Sequence, residues 1–156
     1  ILKSLKQLGN DYEIEDLLAE KNFWANCYEG WSEELRYLLF RYDEYLAEQA
    51  GELINTSQWN KIWTVEPSKS IEHIVPQSAE PKYKHHLGNL IMLPPGMNSS
   101  LQADPPKEKA DPYLSCGLRE TMAVGKLIKK TGTWTEKQAK ERAERIEQYV
   151  RTEWAD

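Results

Sequence analysis

The sequence predicts an α+β domain, mainly helical, enclosing a small strand–loop–strand–helix unit near its middle. Three observations carry this. Leu35, Leu38, Leu39, Tyr42 and Leu46 recur at three- and four-residue spacing, which makes one apolar helical stripe. Ile71 to Val75 is short, β-branched and stopped by Pro76, as a strand is. In the tail, Ala139, Ala143, Ile146, Val150 and Trp154 continue one helical face.

Taken in order, residues 12–54 read as helices. Ser32 ahead of Glu33 and Glu34 reads as an N-cap with acidic first-turn residues, and Gly51 as the interruption or end of that helix. The acidic residues there read as the solvated face of an amphipathic support helix. The texture changes near residue 64. After the Ile71–Val75 strand, residues 77–87 are polar and irregular, a loop, and Leu87 to Leu93 is a second strand. Pro94-Pro95-Gly96 reads as a turn, Asn98-Ser99-Ser100 as the opening of a helix, and Pro105-Pro106 as its end or redirection. Thr131-Gly132-Thr133 is a break, after which Thr135 and Gln138 have the form of a capping box. The resulting division is a helical lead-in over 1–63, a core unit over 64–115 and a C-terminal helical segment over 116–156, together one compact domain. With six tryptophans and eight tyrosines, the aromatic content reads mostly as core.

At 156 residues, 40% hydrophobic and 29% charged, the chain can bury a core of its own. No apolar run approaches the roughly 18 residues of a membrane span, so no membrane partner is expected. The chain opens on Ile1, and a fragment of a longer protein is expected. Cys27 and Cys116 lie far apart and form no Cys-x-x-Cys pair, which argues against a cysteine zinc site; a reducing, cytoplasmic compartment is the expectation. The net charge of −5 is unlike that of most nucleic-acid binders, but it is unevenly spread. Residues 1–60 hold five Lys/Arg against twelve Asp/Glu, whereas residues 119–145 hold eight against four. A polyanion is therefore expected to meet the C-terminal half, with the acidic N-terminal helices facing elsewhere.

The chemistry-bearing residues are Glu72, His73 and Asn98. Hydrolysis of a phosphodiester requires a base for the attacking water, neutralisation of the phosphate and stabilisation of the leaving 3′ oxygen. A histidine near its ordinary pKa of about 6.5 is mostly neutral at pH 7 and can accept the proton. Mg²⁺ prefers oxygen ligands and keeps several waters, so one carboxylate and one amide carbonyl suffice. Adjacent strand residues point to opposite faces, so Glu72 and His73 can serve one site only where the strand bends or ends, as Pro76 suggests.

The segment Glu72-His73-Ile74-Val75-Pro76-Gln77-Ser78 resembles the first strand of the HNH, or ββα-metal, nuclease motif, in which an acidic residue precedes the catalytic histidine. It is especially similar to the HNH domain of RNA-guided DNA endonucleases, which carries Asp where this chain has Glu72. That motif continues with two asparagines nine positions apart, as Asn89 and Asn98 are here. The resemblance implies His73 as general base, Glu72 and Asn98 as ligands of Mg²⁺ (or Mn²⁺), and Asn89 as a structural brace for the His-bearing loop.

A wider resemblance covers residues 70–156. His86-Leu87-Gly88-Asn89-Leu90, Leu93, Asn98, Lys109, Tyr113, Ser115, Trp134, Arg142 and Trp154 are similar to the pattern of the C-terminal nuclease domain of GmrSD-type restriction proteins. Pro105-Pro106 stands where that family usually has an aromatic. The resemblance implies a DNA substrate cut or nicked in bacterial defence, and a preceding nucleotide-hydrolysing domain in the full-length protein. Two other readings share these residues: an RNase with the same core, and a non-catalytic DNA-binding or partner-docking module. Lys109 and Arg142 are expected to contact phosphate or else to stabilise the fold. Lys126, Lys129 and Lys130 are expected to meet the nucleic-acid backbone or else to form a solvated helix end. His85 and His86 read as loop residues, or else one of them touches metal or phosphate.

Overall fold

A computed structural model describes residues 24–53, 56–101 and 103–154. The helical reading of residues 12–23 lies outside the described residues, and residues 24–31 form bends with only a short helical stretch at 24–25. Six helices follow: α1 (Ser32–Gln49), α2 (Thr56–Trp63), α3 (Pro95–Leu101), α4 (Pro106–Ser115), α5 (Arg119–Thr131) and α6 (Glu136–Glu153). Between α2 and α3 lie two antiparallel strands, β1 (Ile71–His73) and β2 (Leu90–Met92), paired Ile71 to Met92, Glu72 to Ile91 and His73 to Leu90. The architecture is thus the expected mainly helical α+β arrangement.

Helix α1 buries Leu35, Leu38, Leu39 and Tyr42, the stripe read from spacing, with Leu46 packed at its edge. Its start differs from expectation. Trp31 occupies the cap position without a side-chain cap bond, and Ser32 is the first helical residue. The helix ends as expected, with Gly51 at φ +68 just past its last turn, a conformation that costs glycine little. Arg36 ties α1 to the end of α2 by donating to the carbonyls of Ile62 at 3.1 Å and Val65 at 2.6 Å.

Both strands are shorter than the apolar runs that suggested them, but pairing continues beyond their ends. Leu93 N donates to Ser70 O at 2.8 Å, and Ile74 N to Asn89 O at 2.9 Å. All three residues of each strand are buried, because helices cover both faces. Thr121 on α5 donates to Met92 O at 2.6 Å, fixing that helix to β2.

The two proline pairs act as helix starters. Pro95 opens α3, which places Asn98 inside the helix and not at its cap; Pro105 caps α4 and Pro106 is its first residue. Proline's missing N–H costs nothing in a helix's first turn, where that donor would have no partner. Helices α4 and α5 pack closely: a Cβ added at Gly125 would lie 2.9 Å from the Cβ of Tyr113. Helix α5 ends at Thr131 with Gly132 at φ +74, and α6 begins with the expected capping box, Gln138 N donating to Thr135 Oγ1 at 3.3 Å and Thr135 N to Gln138 Oε1 at 2.8 Å.

Helix α6 lies against the short 3₁₀ turn Leu87–Asn89. A Cβ at Gly88 would lie 1.7 Å from the carbonyl oxygen of Ala139, so this backbone approach requires glycine. Apolar residues from every helix and both strands join one continuous core.

Candidate active site

Strand β1 ends at His73. Glu72 is 3% and His73 6% exposed. Lys109, from α4, bonds the Glu72 carboxylate through Oε1 and donates to His73 O at 2.6 Å. One ammonium therefore fixes both the carboxylate and the strand end beside it. Burial pushes the Glu72 carboxyl up against the pull of Lys109, and burial pushes the Lys109 ammonium down against the pull of Glu72.

The His73 imidazole lies among other side chains. Its Nε2 is 3.2 Å from His85 Nδ1, and its Nδ1 is 3.4 Å from Gln77 Nε2. The Tyr28 ring meets His73 edge-on at 4.7 Å and stacks on His85 at 5.4 Å with the planes 4° apart. Burial first, then the nearby His85, Lys109 and Lys84, pulls the His73 pKa down to about 3. The ring is therefore neutral, with a lone pair available, at any pH near 7. The Tyr28 phenol is raised by burial and by the charge of Glu72, so that carboxylate lies within electrostatic reach of the ring that packs on His73.

Asn89 holds the loop that follows His73. Its Oδ1 accepts from Val75 N at 2.9 Å, and its Nδ2 donates to Val75 O at 3.1 Å and Lys84 O at 3.0 Å. Both ends of the loop, residues 75 and 84, are thereby tied to one buried amide. Asn98, on α3, donates through Nδ2 to Ser68 O at 3.1 Å and Ile71 O at 3.2 Å, next to Glu72. These two donations fix which end of the amide is nitrogen. Its Oδ1 is buried and has no hydrogen-bond partner. Among the described residues it is the only such orphan that can act solely as an acceptor, since the others are ring or guanidinium N–H groups and one hydroxyl.

An orphaned amide oxygen is the kind of atom that an oxygen-ligated divalent cation takes, with waters among its other ligands. Among the described residues there is no group of three or more His, Cys, Asp or Glu side chains placed to hold a metal.

Two expected phosphate contacts are corrected. Lys109 and Arg142 are both 0% exposed. Arg142, from α6, forms a two-point ion pair with Glu120, Nε to Oε1 at 2.7 Å and the second guanidinium nitrogen to Oε2 at 2.9 Å. Its third nitrogen donates to Leu87 O at 2.8 Å and Leu90 O at 2.7 Å, on either side of Asn89. Neither cation offers surface to a polyanion; both brace the site from beneath. Lys126, Lys129 and Lys130 are exposed on α5, with Lys129 paired to Asp111 at 2.5 Å.

Sequence reasoning missed Gln77, Tyr28 and Glu29, and it missed the pairing of His85 with His73. The acidic lead-in was expected to face away, yet its residues 27–29 close over the imidazole pair: Cys27 N donates to His85 O at 3.2 Å. The adjacent histidines of the loop were the one available signal. His86 serves locally, its Nδ1 accepting from Gly88 N at 3.1 Å.

Cys27 and Cys116 are both buried thiols, and among the described residues no helix is long and apolar enough to cross a membrane. No curated protein and no solved structure matches the chain. The family model described as the C-terminal domain of GmrSD restriction endonucleases matches residues 12–148, a span that holds the histidine strand, both asparagines and both buried cations, and the chain belongs to that family.

Proposed function

We propose that this domain is a metal-dependent endonuclease of the HNH type that nicks DNA, with β1, β2 and α3 forming its ββα-metal unit. The observation that carries the proposal is Asn98, an amide locked by two donations whose buried oxygen faces no donor, bonded to the strand that presents Glu72 and His73. DNA as substrate follows from the restriction family; bacterial defence in the cytoplasm, with a preceding nucleotide-hydrolysing domain, is the setting proposed with it.

In this reading His73 takes the proton of the attacking water, and the negative charge of the phosphate beside the ring raises its basicity above that in the free domain, where burial and nearby cations hold it down. Glu72, oriented by Lys109, and Asn98 hold Mg²⁺ (or Mn²⁺), which supplies positive charge against the charge that builds on the phosphate and the leaving 3′ oxygen. Asn89 keeps the His73 loop from drifting relative to the strand. Exposed Lys126, Lys129 and Lys130 contribute backbone attraction. The products carry a 5′ phosphate and a 3′ hydroxyl.

Supercoiled-plasmid cleavage with Mg²⁺, Mn²⁺ or EDTA tests this, alongside a structured RNA. Wild type should nick plasmid with either metal and fail with EDTA, and His73→Ala should lose nicking while keeping its fold. Near-wild-type nicking by His73→Ala would remove the base assignment, and preferential cleavage of RNA would reassign the substrate.

A further inference from the structure

We infer that His85 is a positioning residue that holds His73 in the tautomer protonated on Nε2, making Nδ1 the atom that receives the proton from water. The inference rests on the nuclease reading above for its catalytic meaning, and on the geometry of the two rings with Gln77 and Glu29 for the tautomer.

Three neighbours agree on where the protons sit. In a neutral pair of imidazoles 3.2 Å apart, one nitrogen must donate and the other accept. Gln77 presents its amide nitrogen, a donor only, to His73 Nδ1 at 3.4 Å. A lone pair therefore belongs on Nδ1, which leaves the His73 proton on Nε2, pointing at His85. His85 Nδ1 must then accept, and its own proton lies on Nε2. That nitrogen faces the Glu29 carboxylate at 3.7 Å, whose negative charge favours a proton there.

The surroundings hold this order in place. Tyr28 stacks on His85 and meets His73 edge-on, so neither ring can turn over without displacing it. The His85 carbonyl is bonded by Cys27 N at 3.2 Å, which ties its backbone to the segment that carries Tyr28 and Glu29. Gln77 is exposed and its side chain is long, so it can yield its place at Nδ1 to water. When it does, an O–H bond of that water breaks, the proton goes to Nδ1, and the electron pair stays on the oxygen that attacks phosphorus. The P–O3′ bond breaks with its electrons on the 3′ oxygen, which takes a proton from solvent. A side chain that fixes the tautomer of a working histidine commonly affects activity by about 10- to 100-fold, by analogy with the outer-shell partners of metal-bound histidines.

The test is long-range ¹H–¹⁵N correlation of the histidine rings in the full chain, without metal or substrate, joined to plasmid-nicking kinetics. Wild type should show His73 protonated on Nε2. His85→Phe keeps a ring to stack on Tyr28 but has no acceptor; it should lose that tautomer and drop kcat by about 10- to 100-fold at unchanged KM. His85→Asn places an amide oxygen where Nδ1 was and should recover the tautomer and most of the rate. A wild-type His73 protonated on Nδ1 would overturn the inference, as would a His85→Phe variant that keeps both tautomer and rate. Because the tautomer is read without turnover, a chain with the Nε2–H tautomer but no nicking would sink the nuclease reading and leave the imidazole pair standing.

Discussion

Arg142 and Lys109 are both fully buried cations, each set against one carboxylate, yet they are held in different ways. Arg142 engages both oxygens of Glu120 and two carbonyls of the turn that carries Asn89. Lys109 reaches Oε1 of Glu72 and one carbonyl, that of His73. The guanidinium's rigid fork suits a permanent two-point clamp, whereas an ammonium is a compact charge that can share its partner. The scaffold thus receives the pair that saturates its carboxylate. The site receives the pair that orients a carboxylate through one oxygen, which is what a residue proposed to bind a metal requires.

The largest expected effect breaks the scaffold side. Arg142→Ala strands Glu120 and two carbonyls in the interior and should cost about 3–5 kcal/mol in urea denaturation. Arg142→Lys should recover less than half of that, since a point charge cannot span both oxygens and both carbonyls; full recovery would erase the distinction between the pairs. On the site side the loss should be smaller. Lys109→Met leaves Glu72 without its partner, but burial already pushes that carboxyl up, so it can take a proton and limit the cost to about 1–3 kcal/mol. The double variant Lys109→Met/Glu72→Gln should regain part of this, with a coupling of about 0.5–3 kcal/mol in a double-mutant cycle; strict additivity would mean that the two side chains do not depend on each other.

The effect of acid is the most gradual, spread over several pH units. The folded His73 pKa, about 3, lies below the ordinary value of 6.5, so between these pH values the unfolded chain binds the extra proton. Its contribution to stability therefore rises with pH across that window, by at most about 1.4 kcal/mol per pH unit. Asp43, on α1, opposes it: burial pushes its pKa from 3.8 up to about 7, so its contribution falls as pH rises through that range. The quantity to follow is the stability of wild type minus that of His73→Asn. It should climb from pH 3 to 6.5, and a flat difference would show that the ring keeps its ordinary pKa.

Local chemistry was the legible part of the fold. The Leu35–Tyr42 stripe, the Thr135–Gln138 box and the glycines after α1 and α5 are written within a turn or two of chain. The prolines were half legible because one residue type both ends and starts helices; Pro105-Pro106 do lie where one helix gives way to the next, but Pro95 and Pro106 also begin α3 and α4. In the site, residue identities were readable but partners were not. Lys109 meets a carboxylate 37 positions away and Arg142 one 22 positions away, separations that no periodicity encodes. Lys109 does share a helix face with Tyr113, four residues on, which hinted at a buried cation. Nothing local announced that Tyr28 and Glu29, in the acidic lead-in, would meet His85.

The approach of Gly88 to Ala139 has a mechanical consequence. With backbone nearly touching backbone, no deformable layer of side chains separates α6 from the turn ahead of Asn89. Contact transmits a push, and the two Arg142 bonds to Leu87 and Leu90 transmit a pull. Helix and turn are coupled in both directions with little slack. Anything that seats on the exposed face of α6 and shifts it by a fraction of an ångström acts on the brace of the histidine loop, which makes the C-terminal helix a lever whose short arm ends at His73.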